Sequence, residues 1–167
     1  MSIKDAIERS VKAVGLRASV GQGTATSVAT LGADLTCTAT EGAHTFRLAL
    51  PEQYGGPGGA PSPGVLGRAA LAGCIALGIG MWAARLDLVL DTLTVKVEAD
   101  YDVRGELGIS DEVRPGYTAM RYVITASSRA PAAAVRAMLE QAVKTSSYVD
   151  NFARAVALSG EIHVTGS

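Results

Sequence analysis

Two cysteines, two histidines and sixteen carboxylates are the side chains here that could do chemistry. Cys74 lies inside the longest apolar run, SPGVLGRAALAGCIALGIGMWAAR, from Ser62 to Arg85. A thiol is a nucleophile only as its thiolate, which needs a cation or a helix N-terminus close by. Cys74 falls about three turns in from the Pro63 end, so the dipole of its own helix does not reach it. An arginine or lysine would have to reach in from elsewhere; without one, Cys74 packs as a small hydrophobe. Cys37 falls on the buried face of a strand and reads as core. His44 follows a hairpin turn and His163 shares a strand face with Glu161; both read as solvated. Asp100, Asp102, Asp111 and Glu112 read as a wet strand face and a loop. No cysteine or histidine spacing fits a zinc site, and nothing implies a cofactor. The loop Gly55-Gly56-Pro57-Gly58-Gly59 lacks the Lys-Ser/Thr of a phosphate loop and the strand-to-helix fingerprint of a dinucleotide site.

The elements that must position Cys74 follow from periodicity. Ser62 and Pro63 form a helix start, with Ser able to cap free amides and Pro tolerated at the first position. The run beyond them is apolar on every face, which predicts a helix buried on all sides. Gly64, Gly67, Gly73, Gly78 and Gly80 each weaken it by roughly 1 kcal/mol relative to Ala, so its surroundings must hold it. Upstream, Ile3, Ile7, Val11 and Val14 mark an amphipathic helix over 2–16. Short strands follow, broken at Leu31–Asp34 and at Glu41–Ala43. Leu35, Cys37 and Ala39 share one strand face, and Phe46, Leu48 and Leu50 another. Residues 51–63 form a Gly/Pro loop. Alternation predicts a strand over Thr92–Val103, a polar loop over Gly105–Gly116 and a second strand over Tyr117–Ser127. Pro131 opens a further helix. Ser147 and Asp150 suggest the cap of a short helix near 148–156, and a last strand is expected over Gly160–Val164. Strands set apart from helices argue an α+β class. The central run has more apolar surface than one small sheet can cover, which predicts an intimate dimer.

Length and composition narrow the function classes. A chain of 167 residues suits a single domain over 1–167. Net charge −1, with no run of like charge, gives no footprint for nucleic acid or an anionic membrane. The central run is long enough to raise the question of a membrane span, but Arg68 inside it and Pro63 at its start argue against one. Two cysteines and no secretory leader pattern point to a reducing, cytoplasmic setting.

The stretch PEQYGGPGGAPSPGVLGRAALAGCIALGIGMWAARLDLVLDTLTVKVEADYD resembles the OsmC/Ohr family of organic hydroperoxide reductases. It has the family's Gly-Gly loop, Pro-led helix start, small-residue run ending in Ala-x-Cys, long apolar helix and following strand. The likeness covers roughly residues 20–165 and continues through AVKTSSYVDNFARAV, with residues 1–18 as an additional N-terminal helix. It implies an OsmC-like α+β fold, with antiparallel sheets around a buried central helix and two chains intertwined as a homodimer. It further implies an interfacial site with a peroxidatic Cys, a resolving Cys and a Glu/Arg pair. Cys74 matches the peroxidatic position. Gly64 stands where the family has Glu, and Ser146 stands at the resolving position, where no disulfide can form. Arg17 is the arginine nearest the family's position, and Tyr54, Arg17 and Arg68 are the candidate binding residues. Two functions follow. One is a one-cysteine peroxidase that reduces organic hydroperoxides through Cys74 and is recycled by an external thiol. The other is a non-enzymatic dimer binding a small apolar ligand at its interface, with Cys74 structural.

Overall fold

The computed structural model describes residues 1–166. Helix α1 spans Ile3–Leu16 and is closed by a capping box, Ser2 and Asp5 each accepting the other's backbone amide. A three-stranded antiparallel sheet follows, β1 Val28–Leu31, β2 Thr36–Glu41 and β3 His44–Ala49, in the order β1-β2-β3. The β2–β3 turn is two residues long and carries Gly42 at φ 55°, the left-handed geometry that suits the twist of a hairpin. Cys37 sits between Leu31 and Leu48 in register but is half-buried rather than core, and Leu35, expected on its face, lies outside β2 at φ 60°. The Gly/Pro loop then folds back on β3. At Gly56 a side chain would strike the Leu50 carbonyl oxygen at 1.8 Å, so only glycine permits that approach.

The central helix α2 spans Pro63–Arg85. Its inner stripe, Leu71, Ile75, Ile79 and Ala83, repeats every four residues and is buried. The stripe packs against the second sheet, β4 Thr92–Asp100 paired antiparallel with β5 Ala119–Ser127, and against α4 Ala132–Lys144. Leu93, Val95 and Val97 of β4 and Met138 and Ala142 of α4 complete this core. On the outer sheet face, Arg121 bridges Glu98 at 3.1 Å and Asp100 at 2.7 Å. Helix α1 lies along α2, tied by the Lys4–Asp87 ion pair. A short helix α3, Val103–Glu106, and a terminal helix α5, Ser147–Ala153, complete the elements.

The mixed, antiparallel architecture is the expected one, with four local differences. The strand expected to reach Val103 stops at Asp100, because Asp102 caps α3 by accepting the Arg104 amide. The short helix begins one residue early and is capped by Ser146 rather than Ser147. Residues 160–164 form no strand. Ile162 and Val164 stand 92% and 88% exposed beside no sheet edge, and alternation makes a strand only where an edge is there to pair. Finally, α2 is not buried all round. It is long and apolar enough to cross a membrane, yet its inner face is core while Leu77 on the outer face is 78% exposed.

Truncating the fully buried Ile79 to Ala should cost about 2–5 kcal/mol in urea denaturation, from lost transfer energy plus a cavity. Val123→Ala, on the exposed face of β5, should cost less than about 1 kcal/mol.

Candidate functional site

Cys74 stands on α2, one position before the buried Ile75 and three before the exposed Leu77, at the margin of the core. Its half-buried thiol faces the corner where α4 turns into α5. The sulfur is 3.4 Å from Ser146 Oγ and 3.7 Å from Ser147 Oγ. Ser146 is 5% exposed, and its oxygen accepts the Val149 amide at 3.4 Å as the N-cap of α5. That leaves the hydroxyl proton free to point at the sulfur. The dipole denied to Cys74 by its own helix thus comes from another one. Burial pushes the thiol pKa up, but the Ser146 hydroxyl, the Tyr148 amide and the hydroxyl and amide of Ser147 outweigh it and hold the thiol below its ordinary value. These are the donors a thiolate needs.

The corner is itself pinned. Trp82, two turns along α2, donates its indole N–H to Thr145 Oγ1 at 2.9 Å. Thr145 in turn donates to the Gln141 carbonyl at 3.0 Å. Arg85 lies over the Trp82 ring, 4.5 Å from its centroid, as a cation–π contact. Aromatic rings continue outward from α5: Tyr148 to Phe152 at 6.4 Å and Phe152 to Tyr117 at 6.5 Å between centroids.

Tyr117 leads to a second group of polar residues at the start of α2. Its hydroxyl donates to the Gly64 carbonyl at 3.1 Å and accepts from Arg68 Nη1 at 3.2 Å. A side chain at Gly64 would start 3.4 Å from Arg68 Nη1 and 3.5 Å from the Tyr117 oxygen. Ser62 holds the N-cap position of α2 but its side chain makes no capping bond, contrary to expectation. These residues line a cavity of about 580 Å³ that also takes in Tyr54 and Cys37; Cys74 is outside its lining. A larger cavity, about 760 Å³, lies between β5 and α4 and contains no thiol or histidine.

The sequence-derived candidates therefore divide. Cys74 and Ser146 meet. Arg68 and Tyr54 share the cavity with Cys37. Arg17 is exposed at the end of α1, where its backbone forms the helix C-cap. Both cysteines are free thiols, Cys37 half-buried on β2. His44 and His163 are exposed, His163 beside Glu161 at 3.3 Å. Among the described residues no cluster of His, Cys, Asp or Glu could hold a metal. Sequence reasoning missed Ser147, Tyr148 and Tyr117. Tyr148 acts through its backbone amide, which every residue carries, and Ser147 through its hydroxyl as well as its amide. The Ser-Ser pair before Asp150 was their one visible sign.

This fold has relatives. The family model described as OsmC-like protein matches residues 56–160, and the chain belongs to that family. No curated protein sequence matches it. Among solved structures it is similar to an OsmC-like protein from Mycoplasma pneumoniae, with 13% identity and TM-score 0.67 over 80% of this chain and 90% of that one. It is also similar to an organic hydroperoxide resistance protein OsmC from Legionella pneumophila, with 22% identity and TM-score 0.53 over 77% and 88%. A third likeness is to an organic hydroperoxide resistance protein from Elizabethkingia anophelis, with 16% identity and TM-score 0.53 over 77% and 87%. At such identities these likenesses carry the fold.

Ser146→Ala removes both a donor to the sulfur and the cap of α5. The alkylation rate of Cys74 by iodoacetamide, followed against pH, should rise through a lower pKa in the wild type than in the variant, which loses the Ser146 hydroxyl. The lost cap should also cost about 1 kcal/mol in thermal unfolding.

Proposed function

We propose that this chain is a one-cysteine thiol peroxidase acting on organic hydroperoxides. The observation that carries the reading is the pair of hydroxyls beside the Cys74 sulfur, Ser146 Oγ at 3.4 Å and Ser147 Oγ at 3.7 Å, which favour the thiolate. The thiolate attacks the terminal peroxide oxygen and the O–O bond breaks. The alkoxide leaves and takes up a proton as the alcohol, and Cys74 becomes a sulfenic acid. A first external thiol condenses with that sulfenic acid, releasing water and leaving a mixed disulfide. A second external thiol attacks this disulfide, freeing Cys74 and leaving as the small-molecule disulfide. Two external thiols are required because Ser146 occupies the place from which an internal thiol would attack. A reducing cytoplasm would supply them.

The active form on this reading is a homodimer. Cys74, Leu77 and Met81 fall at i, i+3 and i+7 on the outer face of α2. Leu77 is 78% and Met81 38% exposed, and side chains added at Gly67, Gly73 or Gly80 would meet nothing within 4 Å. A second copy of this helix could approach there closely, burying apolar surface and enclosing the thiol.

Mass spectrometry after stoichiometric cumene hydroperoxide should show one oxygen added at Cys74 and loss of the peroxide; no oxygen on Cys74 while peroxide persists would end the peroxidase reading. Ser146→Cys places a second sulfur where the oxygen now lies 3.4 Å from Cys74, and the same treatment should then give an internal disulfide. Light scattering should report a dimer for the wild type and a shift to monomer for Leu77→Asp, whose new charge cannot be buried at the seam.

A further inference from the structure

We propose that Trp82 and Thr145 are positioning residues for Cys74: the indole N–H holds Thr145, and through it holds the Ser146 hydroxyl against the sulfur. This role deepens the peroxidase reading and rests on Cys74 being its working thiol. The starting point is how loosely Ser146 itself is held. Its hydroxyl lies 3.4 Å from the Cys74 sulfur and 3.4 Å from the Val149 amide that it caps. An N–H···O bond is ordinarily about 2.7–3.2 Å long, so the cap alone does not fix the hydroxyl. The preceding residue is held far better. Thr145 Oγ1 accepts the Trp82 indole N–H at 2.9 Å and donates to the Gln141 carbonyl at 3.0 Å, with the Ala142 carbonyl 3.3 Å away. The Thr145 amide adds a bond to Gln141 at 3.2 Å.

The crossing of two helices turns the indole bond into a lever. The end of α4 meets α2 at Gly78, where an added Cβ would lie 3.9 Å from the Ala142 carbonyl oxygen. Gly78 stands four residues after Cys74 and four before Trp82. About one turn of α2, roughly 6 Å of rise, therefore lies on each side of the crossing. The chain leaving α4 is fastened on both sides by consecutive residues, Thr145 to the indole and Ser146 to the sulfur. Any movement of the α4–α5 corner that carries Ser146 away from Cys74 also moves Thr145, one residue back, against its bond to Trp82.

Trp82 is fixed in its turn by Arg85, which lies 4.5 Å from the ring centroid. Among the described residues Arg85 pairs with no carboxylate, so its charge acts on the indole face. A cation over that face draws density from the ring and makes its N–H a better donor. The other charges of the elements that meet here are placed elsewhere. Arg68 of α2 bonds Tyr117, and Arg136, Glu140 and Lys144 of α4 line the cavity beside β5, which Cys74 does not line. Asp150 of α5 pairs with Arg154 at 2.9 Å. Burial raises the Cys74 pKa, and only the hydroxyls and amides of Ser146, Ser147 and Tyr148 lower it. The ionisation of the thiol thus depends on where the hydroxyls stand, and the indole helps to place them.

The test is the pH profile of Cys74 alkylation by iodoacetamide in the full-length, reduced protein, with peptide mass mapping to separate Cys74 from Cys37. Trp82→Phe keeps a ring and removes the N–H; Thr145→Val keeps the shape and removes the hydroxyl. Both should move the profile to higher pH and slow alkylation at neutral pH by about threefold or more, the effect of one hydrogen bond. Thr145→Ser, which keeps the hydroxyl, should restore the wild-type profile. In a Ser146→Ala background Trp82→Phe should move the profile less than it does alone, since the indole acts through Ser146. Circular dichroism melts show that each variant is folded. Profiles of folded Trp82→Phe and Thr145→Val that overlay the wild type, a Thr145→Ser as shifted as Thr145→Val, or an undiminished Trp82→Phe shift without the Ser146 hydroxyl would each overturn the proposal. No peroxide enters the measurement. Profiles that shift as expected, in a protein whose Cys74 gains no oxygen from cumene hydroperoxide, would support the brace while ending the peroxidase reading.

Discussion

Four side chains set one turn apart, Leu71, Ile75, Ile79 and Ala83, hold α2 against Met138 and Ala142 of α4 and against β4. That contact is what the rest of the molecule depends on. It fixes the rotation of α2 about its own axis, and with it the direction of every other side chain on the helix. It also fixes where α4 ends. Because α4 ends beside Cys74, the hydroxyls of Ser146 and Ser147 at the start of α5 meet the sulfur. The apolar core therefore sets the polarity around the thiol. With Gly64, Gly67, Gly73, Gly78 and Gly80 along it, α2 has little helicity of its own, and packing supplies the order that propensity does not.

The Cys74 environment is polar but carries no fixed charge among the groups that lower its pKa. Hydroxyls and amides stabilise an anion only when they are already pointed at it, and here the N-cap of α5 and the Trp82–Thr145 hydrogen bond do the pointing. Stabilisation by dipoles falls off faster with distance than stabilisation by a cation, and it is less exposed to screening by salt. The cation stands elsewhere. Arg68 shares its surroundings with Tyr117 and the vacant side of Gly64, linked to α5 through the Tyr117, Phe152 and Tyr148 rings. Thiol and guanidinium thus occupy separate ends of one helix, with different partners.

Much of this was legible in the sequence where the signal is local. The alternation from Leu93 to Ala99 gave β4, the run from Ser62 to Arg85 gave α2, and the order of elements around Cys74 gave the family. The misses share a cause. A face of α2 that is apolar in sequence can be core or seam, and only the placement of α4 and β4 tells Ile79 from Leu77. Ile162 and Val164 alternate as a strand does, but pairing needs a neighbour that the pattern cannot name. The donors to Cys74 come from residues more than seventy positions away, two of them serine hydroxyls and the rest main-chain amides, so the sequence does not announce that they meet the sulfur. Arg68 was visible as a charge within an apolar run, but its open flank at Gly64 emerges only once Tyr117 is in place.

Trp82 is the sole tryptophan of the chain, and it is joined to the residue that precedes Ser146. Indole emission depends on what the ring N–H is bonded to and on the charge above its face, here Thr145 and Arg85. Whatever shifts the α4–α5 corner, whether an oxygen added to the neighbouring sulfur or a second chain closing over it, must disturb one of those two contacts. The molecule is thereby fitted with its own optical gauge, read without a label and free of background from any other indole.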